Sequence, residues 1–279
     1  MTLQELRKQL KEEFLINEIE SPEADSGLLL MHALHLSKTE LLLQNHTLAD
    51  EDVAAVLQLA SRRIKGEPVR YILGVCPFMD LEFAVNPATL IPRPETELLV
   101  EAVSERISGN SPLSLWDIGC GSGCIGITLA HRHPNLSVTE LDISQRALDT
   151  AQTTAERYEL SARIDFIKHD ILTGMPNLSP PDIIVSNPPY IPTKDLAGLQ
   201  KEVHLFEPQT ALDGGEDGLM FYRSIIANAP LPPGGLLAFE IGYDQGESVP
   251  RLMEESGYKD VTLLHDLAGH PRVVFGFHE

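Results

Sequence analysis

Leu3, Leu6, Leu10 and Phe14 recur at three- and four-residue spacing among polar residues, the stripe of an amphipathic helix. Thr2 followed by Glu5 is the capping-box pattern that opens such a helix. Ser21-Pro22 sets a cap residue before a proline at a first helical position. "DEDVAAVLQLASRRIKG" begins acidic and ends in Arg62, Arg63, Lys65 and Gly66, which complements a helix dipole and supplies a terminal glycine. These signals predict a small helical domain over residues 1–75. A connector follows over residues 76–110. Alternate apolar positions around Phe78 to Val85 predict a hairpin there, and "IPRPETE" leads into a helix near Glu95.

From about Ser111 the rhythm changes. Short apolar runs alternate with helical stretches: "LSLWDIG", a helix from about Gly123, "LSVTELDIS", a helix through "QRALDTAQTTAERY", "ARIDFIKHD", then "DIIVSN". This predicts an α/β fold over residues 111–279, an open, doubly wound, Rossmann-like parallel sheet. "DVTLLHDLAGHPRVVFGFH" holds two strand-like runs without a helix between them, so an antiparallel pair closes the sheet.

Composition narrows the class. With 279 residues, 43% hydrophobic and 22% charged, the chain is ordinary globular protein. No apolar run approaches the roughly 18 residues of a membrane span. The charged start "MTLQELRKQLKEEF" is neither a secretory signal nor a transit peptide. Three cysteines without a framework fit a reducing cytoplasm, and Cys120 and Cys124 read as small buried residues with no partner at metal spacing. The net charge is −20. Residues 1–75 carry 8 basic and 12 acidic side chains, which leaves 13 and 29 for the remainder. Such a surface repels polyanions and favours a basic partner, although solubility alone would also be served by it.

The chemistry begins at "LWDIGCGSGCIG". Asp117 ends a strand, and Gly119, Gly121 and Gly123 alternate with Cys120 and Ser122 ahead of a helix. Glycines there let the backbone turn sharply and approach a ligand beside a helix N-terminus. One strand later Asp142 offers a carboxylate that can accept two hydrogen bonds from a ribose diol. This is a nucleoside-cofactor constellation. Gly121, Gly123 and Gly126 also satisfy the dinucleotide fingerprint. The extra Gly119, the acid Asp117 and the missing second catalytic domain favour S-adenosylmethionine (SAM), whose ammonium and ribose suit an acid at each strand end.

"PDIIVSNPPYIP" ends a core strand on an amide and a stiff kink, which on its own is also an ordinary Pro-rich turn. Facing a SAM methyl, the Asn187 side-chain oxygen and the Pro188 carbonyl can each accept one N–H of a substrate NH₂ group. Pro188 and Pro189 stiffen that carbonyl, and Tyr190 can stack on the flat group. No side-chain base must take the proton before the methyl is transferred, and no metal is needed.

"NPPY" is shared by amino-group methyltransferases acting on adenine, cytosine or glutamine. With "GEPVRYILG", "ATLIPRPETE", "DIGCGSG", "LDIS", "EVHLFEPQTALDGGEDGL" and "LAFEIGYDQGE", the chain resembles the peptide chain release factor glutamine methyltransferase family over essentially its whole length. The resemblance implies N(5)-methylation of the glutamine in the Gly-Gly-Gln loop of bacterial release factors. It implies SAM as cofactor, S-adenosylhomocysteine as product, no metal, and a cytoplasmic monomer whose partner is a protein rather than nucleic acid or membrane. It places the loop Gly119 to Gly123, Asp142, Asp170 with Ile171, and Asn187 around the cofactor. Ile171 and Met79 stand where aromatic residues are common in that family. Arg93, Glu95 and Glu97 are expected either to line the active-site mouth or, for Arg93 and Glu97, to form a salt bridge. Glu207 and Glu240 are expected as structural carboxylates near the site. A ribosomal-protein glutamine methyltransferase would differ chiefly in its N-terminal domain. A DNA adenine-N(6) methyltransferase is opposed by the net charge.

Overall fold

The computed structural model describes residues 1–107, 109 and 111–279. Two compact units are formed, one of residues 1–75 with 201–206, the other of residues 76–200 with 207–279.

The first unit is helical: α1 (Leu3–Ile16), α2 (Pro22–Ala33), α3 (Lys38–Leu43), α4 (Asp50–Ile64) and α5 (Val69–Leu73). The capping box at α1 is present, with Glu5 N donating to Thr2 Oγ1 at 3.3 Å and Thr2 N donating to the Glu5 carboxylate at 2.7 Å. Leu3, Leu6, Leu10 and Phe14 are fully buried in one cluster with Leu29, Leu30 and Val56. That shared burial holds the short helices together, since isolated helices of this length are marginal in water.

The second unit opens with a hairpin, β1 (Val75–Phe78) and β2 (Leu81–Ala84), and α6 (Glu97–Ser104). The strands and helices β3 (Leu113–Ile118), α7 (Cys124–Arg132), β4 (Leu136–Asp142), α8 (Gln145–Arg157), β5 (Ile164–Lys168) and β6 (Ile183–Ser186) follow in alternation. After α9 (Lys201–Phe206), which belongs to the first unit, come α10 (Met220–Asn228), β7 (Leu236–Glu240), α11 (Ser248–Glu255), β8 (Lys259–His265) and β9 (Pro271–Phe277). The sheet order is β5-β4-β3-β6-β7-β9-β8, parallel from β5 to β7, with β9 antiparallel to both of its neighbours. Every residue of β6 and of β7 is buried, as parallel strands covered on both faces require. One face packs Leu99, Val103, Ile127 and Ala151 over Leu115 and Val138; the other packs Tyr222, Ile225, Val249 and Met253 over Trp116 and Phe239.

Strand order reverses at β3, which lies between β4 and β6. Open α/β sheets bind ligands in the crevice above such a reversal. Here Ile118 pairs with Leu141 on one side and Ser186 on the other, so Gly119, Asp142 and Asn187 leave the sheet side by side.

The connector over residues 76–110 is no separate piece: Phe78, Phe83, Leu99 and Val103 are buried in the same cluster as Leu115 and Ile127. Its residues 108 and 110 lie outside the described residues. Residues 201–206 join the helical unit although 125 residues of other structure precede them; Arg63 supplies the reason. Its side chain is 4% exposed and donates to Asp25 Oδ2 at 2.7 Å and to Glu202 Oε1 on α9 at 2.5 Å. Among the described residues no helix is long and apolar enough to cross a membrane.

Candidate active site

The loop after β3 is held from beneath. Asp117 is completely buried, and its Oδ2 accepts the N–H of Gly126 in the first turn of α7 at 2.9 Å. Its ladder neighbour on β4 is Glu140, equally buried. Burial pushes Asp117 up to about 7, against the pull of the Gly126 N–H. Burial, and then the charge of Asp117, push Glu140 well above the carboxylate range. Two acids sharing a dry site resist carrying two charges.

Above them Gly119, Gly121 and Gly123 have φ of +71°, +57° and +74°, the left-handed region where side chains are strained. Gly119 N and Cys120 N donate to Leu141 O at 2.8 and 3.1 Å, which curls the loop over the end of β4. Asp142 then acts as a clasp. Its Oδ2 accepts Gly121 N at 2.9 Å and its Oδ1 accepts Ser144 N at 2.8 Å. Burial raises this carboxyl, opposed by the N–H groups of Ser144, Gly121 and Ile143. Both oxygens retain acceptor capacity for a ligand.

These loops surround a cavity of about 430 Å³. Of the residues expected at the cofactor and substrate, Gly119, Cys120, Gly121, Ser122, Asp142, Asp170, Ile171, Asn187, Pro188 and Pro189 line it. Asp117, Gly123 and Tyr190 do not. Asp117, expected among the cofactor residues, lies under the loop, where its Oδ2 holds the first turn of α7. Gly123 serves packing, because a Cβ there would lie 2.6 Å from Ile127 Cδ1. Tyr190 packs partly buried against the cluster of Trp116, Tyr222 and Phe239. Burial and the charge of Glu240 push its hydroxyl pKa up, so it stays protonated.

The rim also departs from expectation. Arg93 lines the cavity and pairs with the buried Glu207 at 2.5 Å, while Glu97 accepts the N–H of Met79 at 2.9 Å. No Arg93–Glu97 bridge forms among the described residues, and Glu95 is exposed. Asp170 caps the turn that follows it, accepting Leu172 N at 3.0 Å.

Several residues that brace "NPPYIP" had no assigned role in the sequence. Gln245 donates to the backbone oxygens of Tyr190 and Gly218 at 3.2 and 3.1 Å. Gly218, at φ +75°, passes so near the Tyr190 carbonyl that a Cβ would collide with it. Gly214 N donates to Ile191 O at 2.8 Å, and Ile191 N to Leu212 O at 3.0 Å. The glycines of "DGGEDG" are the one signal that marked this close approach. Among the described residues no group of three or more His, Cys, Asp or Glu side chains could hold a metal ion.

Residues 94–206 match the family described as methyltransferase small domain, and residues 2–74 that described as PrmC N-terminal domain. The chain is 40% identical to the release factor glutamine methyltransferase of Moorella thermoacetica over 281 residues, covering 99% of both chains. It is 42% identical to the protein of the same name from Neisseria gonorrhoeae, over 91% of this chain and 93% of that one. A solved methyltransferase from Pyrococcus furiosus shares the fold at a TM-score of 0.51, with 16% identity, over 78% of this chain and 96% of that chain.

Proposed function

The chain belongs to the release factor glutamine methyltransferase family, and from that membership we propose how its residues carry out SAM-dependent glutamine methylation of release factors. The observation that carries the proposal is the cavity itself: the glycine loop and Asp142 open onto the same space as Asn187 and Pro188.

The residues present fit SAM. Asp142 supplies a fixed carboxylate for the ribose hydroxyls, its orientation set by two backbone N–H groups. Gly119 and Gly121 keep side chains out of the way. Ile143 and Leu172, 48% and 42% exposed, form with Ile171 an apolar wall for a flat base. When bound, the cofactor supplies a methyl group on a sulfonium sulfur.

The substrate is an amide, whose nitrogen lone pair is delocalised and weakly nucleophilic. Asn187 Oδ1 and the Pro188 carbonyl each accept one of its N–H groups, which aims the nitrogen at the methyl. Both acceptors also stabilise positive charge as it grows on that nitrogen. Pro188 and Pro189 hold the carbonyl in place, since each has its φ locked. Tyr190 does not line the cavity and packs against Trp116, Tyr222 and Phe239; its ring is assigned to the substrate glutamine, whose amide is held next to it in the chain at Asn187 and Pro188. The helical unit takes the docking role, and the acidic excess of residues 76–279 meets basic residues around the target loop.

Incubating the protein with SAM and a bacterial release factor should add the mass of one methyl group to the Gly-Gly-Gln peptide. Modification of another peptide, or of DNA instead, would overturn the substrate. Asp142→Ala is expected to weaken SAM binding by about 1.5–3 kcal/mol, the scale of a lost charge-assisted hydrogen bond. Titration calorimetry showing unchanged affinity would remove the ribose from Asp142.

A further inference from the structure

Beside Asn187 stand two buried polar side chains that the mechanism so far leaves unused, Thr96 on the cavity wall and Glu240 behind it. Thr96 is 2% exposed and closes the turn that precedes α6; Glu240 is 1% exposed and ends β7. The pairing of β6 with β7 sets Asn187 and Glu240 just beyond the matched pair Ser186 and Phe239. Tyr222 Oη donates to the Glu240 backbone oxygen at 2.9 Å and fixes the strand end. Thr96 Oγ1 lies 2.6 Å from Glu240 Oε2, and Asn187 Nδ2 lies 3.3 Å from Thr96 Oγ1.

The direction of these bonds follows from counting protons. A threonine hydroxyl has one hydrogen to give. An ionised carboxylate only accepts, so the short contact with Glu240 takes that hydrogen. Thr96 Oγ1 then shows Asn187 lone pairs alone, and only the NH₂ end of the Asn187 amide can face it. Its oxygen is left to face away from Thr96. A flipped amide would set oxygen against oxygen behind it and aim donors at a substrate that itself offers donors.

We propose that Thr96 and Glu240 are positioning residues that fix the Asn187 amide with its nitrogen held by Thr96 and its oxygen presented to the substrate amide. The inference rests on the orienting role given to Asn187 above. Burial pushes the Glu240 carboxyl up to about 7, opposed by the Thr96 hydrogen bond, the Arg272 charge and the Asn187 amide, and assisted by Glu95. Tyr190, Tyr222 and Cys124 also feel the Glu240 charge, and burial keeps all three protonated. The relay is therefore set as pH rises above about 7, where Glu240 becomes ionised.

Thr96→Val keeps the shape and removes the hydroxyl. It should leave SAM affinity, read by titration calorimetry, within about twofold of wild type. Release-factor methylation should lose roughly tenfold to hundredfold in kcat, the scale of a misplaced reacting group. Thr96→Ser, smaller but with the hydroxyl, should recover most of the rate. In an Asn187→Ala background, Thr96→Val should add nothing further, because the pair acts as one unit. Wild-type kcat in Thr96→Val overturns the relay, as does a serine variant no better than valine. An undiminished loss in the Asn187→Ala background, or a parallel fall in SAM affinity, also overturns it. Full turnover in Asn187→Ala alone would instead strike the orienting role of Asn187, and the relay with it.

Discussion

Asn187→Ala is expected to lower turnover by roughly 10²–10³, the scale for removing one preorganised polar group that acts on developing charge. Cofactor affinity should move by no more than a few fold. The difference follows from what each side chain holds. Asp142 clasps the glycine loop through Gly121 and reaches the cavity beside it, so its loss is felt in binding. Among the described residues the Asn187 side chain holds no backbone group; it runs back to Thr96 and Glu240. Truncation thus leaves the loop standing and takes away an acceptor that matters as the nitrogen gains charge. Single-turnover methylation of a release factor, beside calorimetry with SAM, separates the two quantities. Turnover near wild type would sink the amide-orienting mechanism, whatever the affinity.

Much of this site was legible because its signals are local. The apolar run Ile183 to Val185 reads as a buried parallel strand and is buried throughout. The alternating glycines mark a loop that needs positive φ, and they have it. The position of Asp117 under the loop has a reason that the sheet makes plain. Side chains alternate faces along a strand, and Asp117 shares the face of Leu115, under α7, rather than pointing along the strand into the crevice. Glu140 shares the face of Leu136 and Val138 for the same reason. Thr96, Gln245 and the pairing of Arg93 with Glu207 could not be read locally, since each bond spans 55 residues or more. Nor could the place of α9. A six-residue helix with no buried residue of its own carries no pattern that says where it docks.

The docking of α9 carries the other large expected effect. Arg63→Met should destabilise the helical unit by about 3–5 kcal/mol, the cost of breaking a buried ion pair by removing one partner. Methionine keeps the apolar stem, so packing loss is small and the charge is what is tested. Asp25 is then left as an anion with its side chain 8% exposed, beyond easy reach of water. Glu202 is more exposed and suffers less, but α9 loses one of the contacts that draw it to the helical unit. Denaturant unfolding followed by far-ultraviolet circular dichroism should show an earlier transition for the helical unit. SAM affinity should hold, since every cavity-lining residue belongs to the other unit. Asp25→Asn combined with Arg63→Met should recover much of the loss, because it removes the stranded anion as well as its partner. A single-variant loss below about 1 kcal/mol would put this pair among ordinary surface salt bridges. Equal losses in the single and double variants would mean that Arg63 acts through its bonds to Glu202 and the Glu67 carbonyl and not through Asp25.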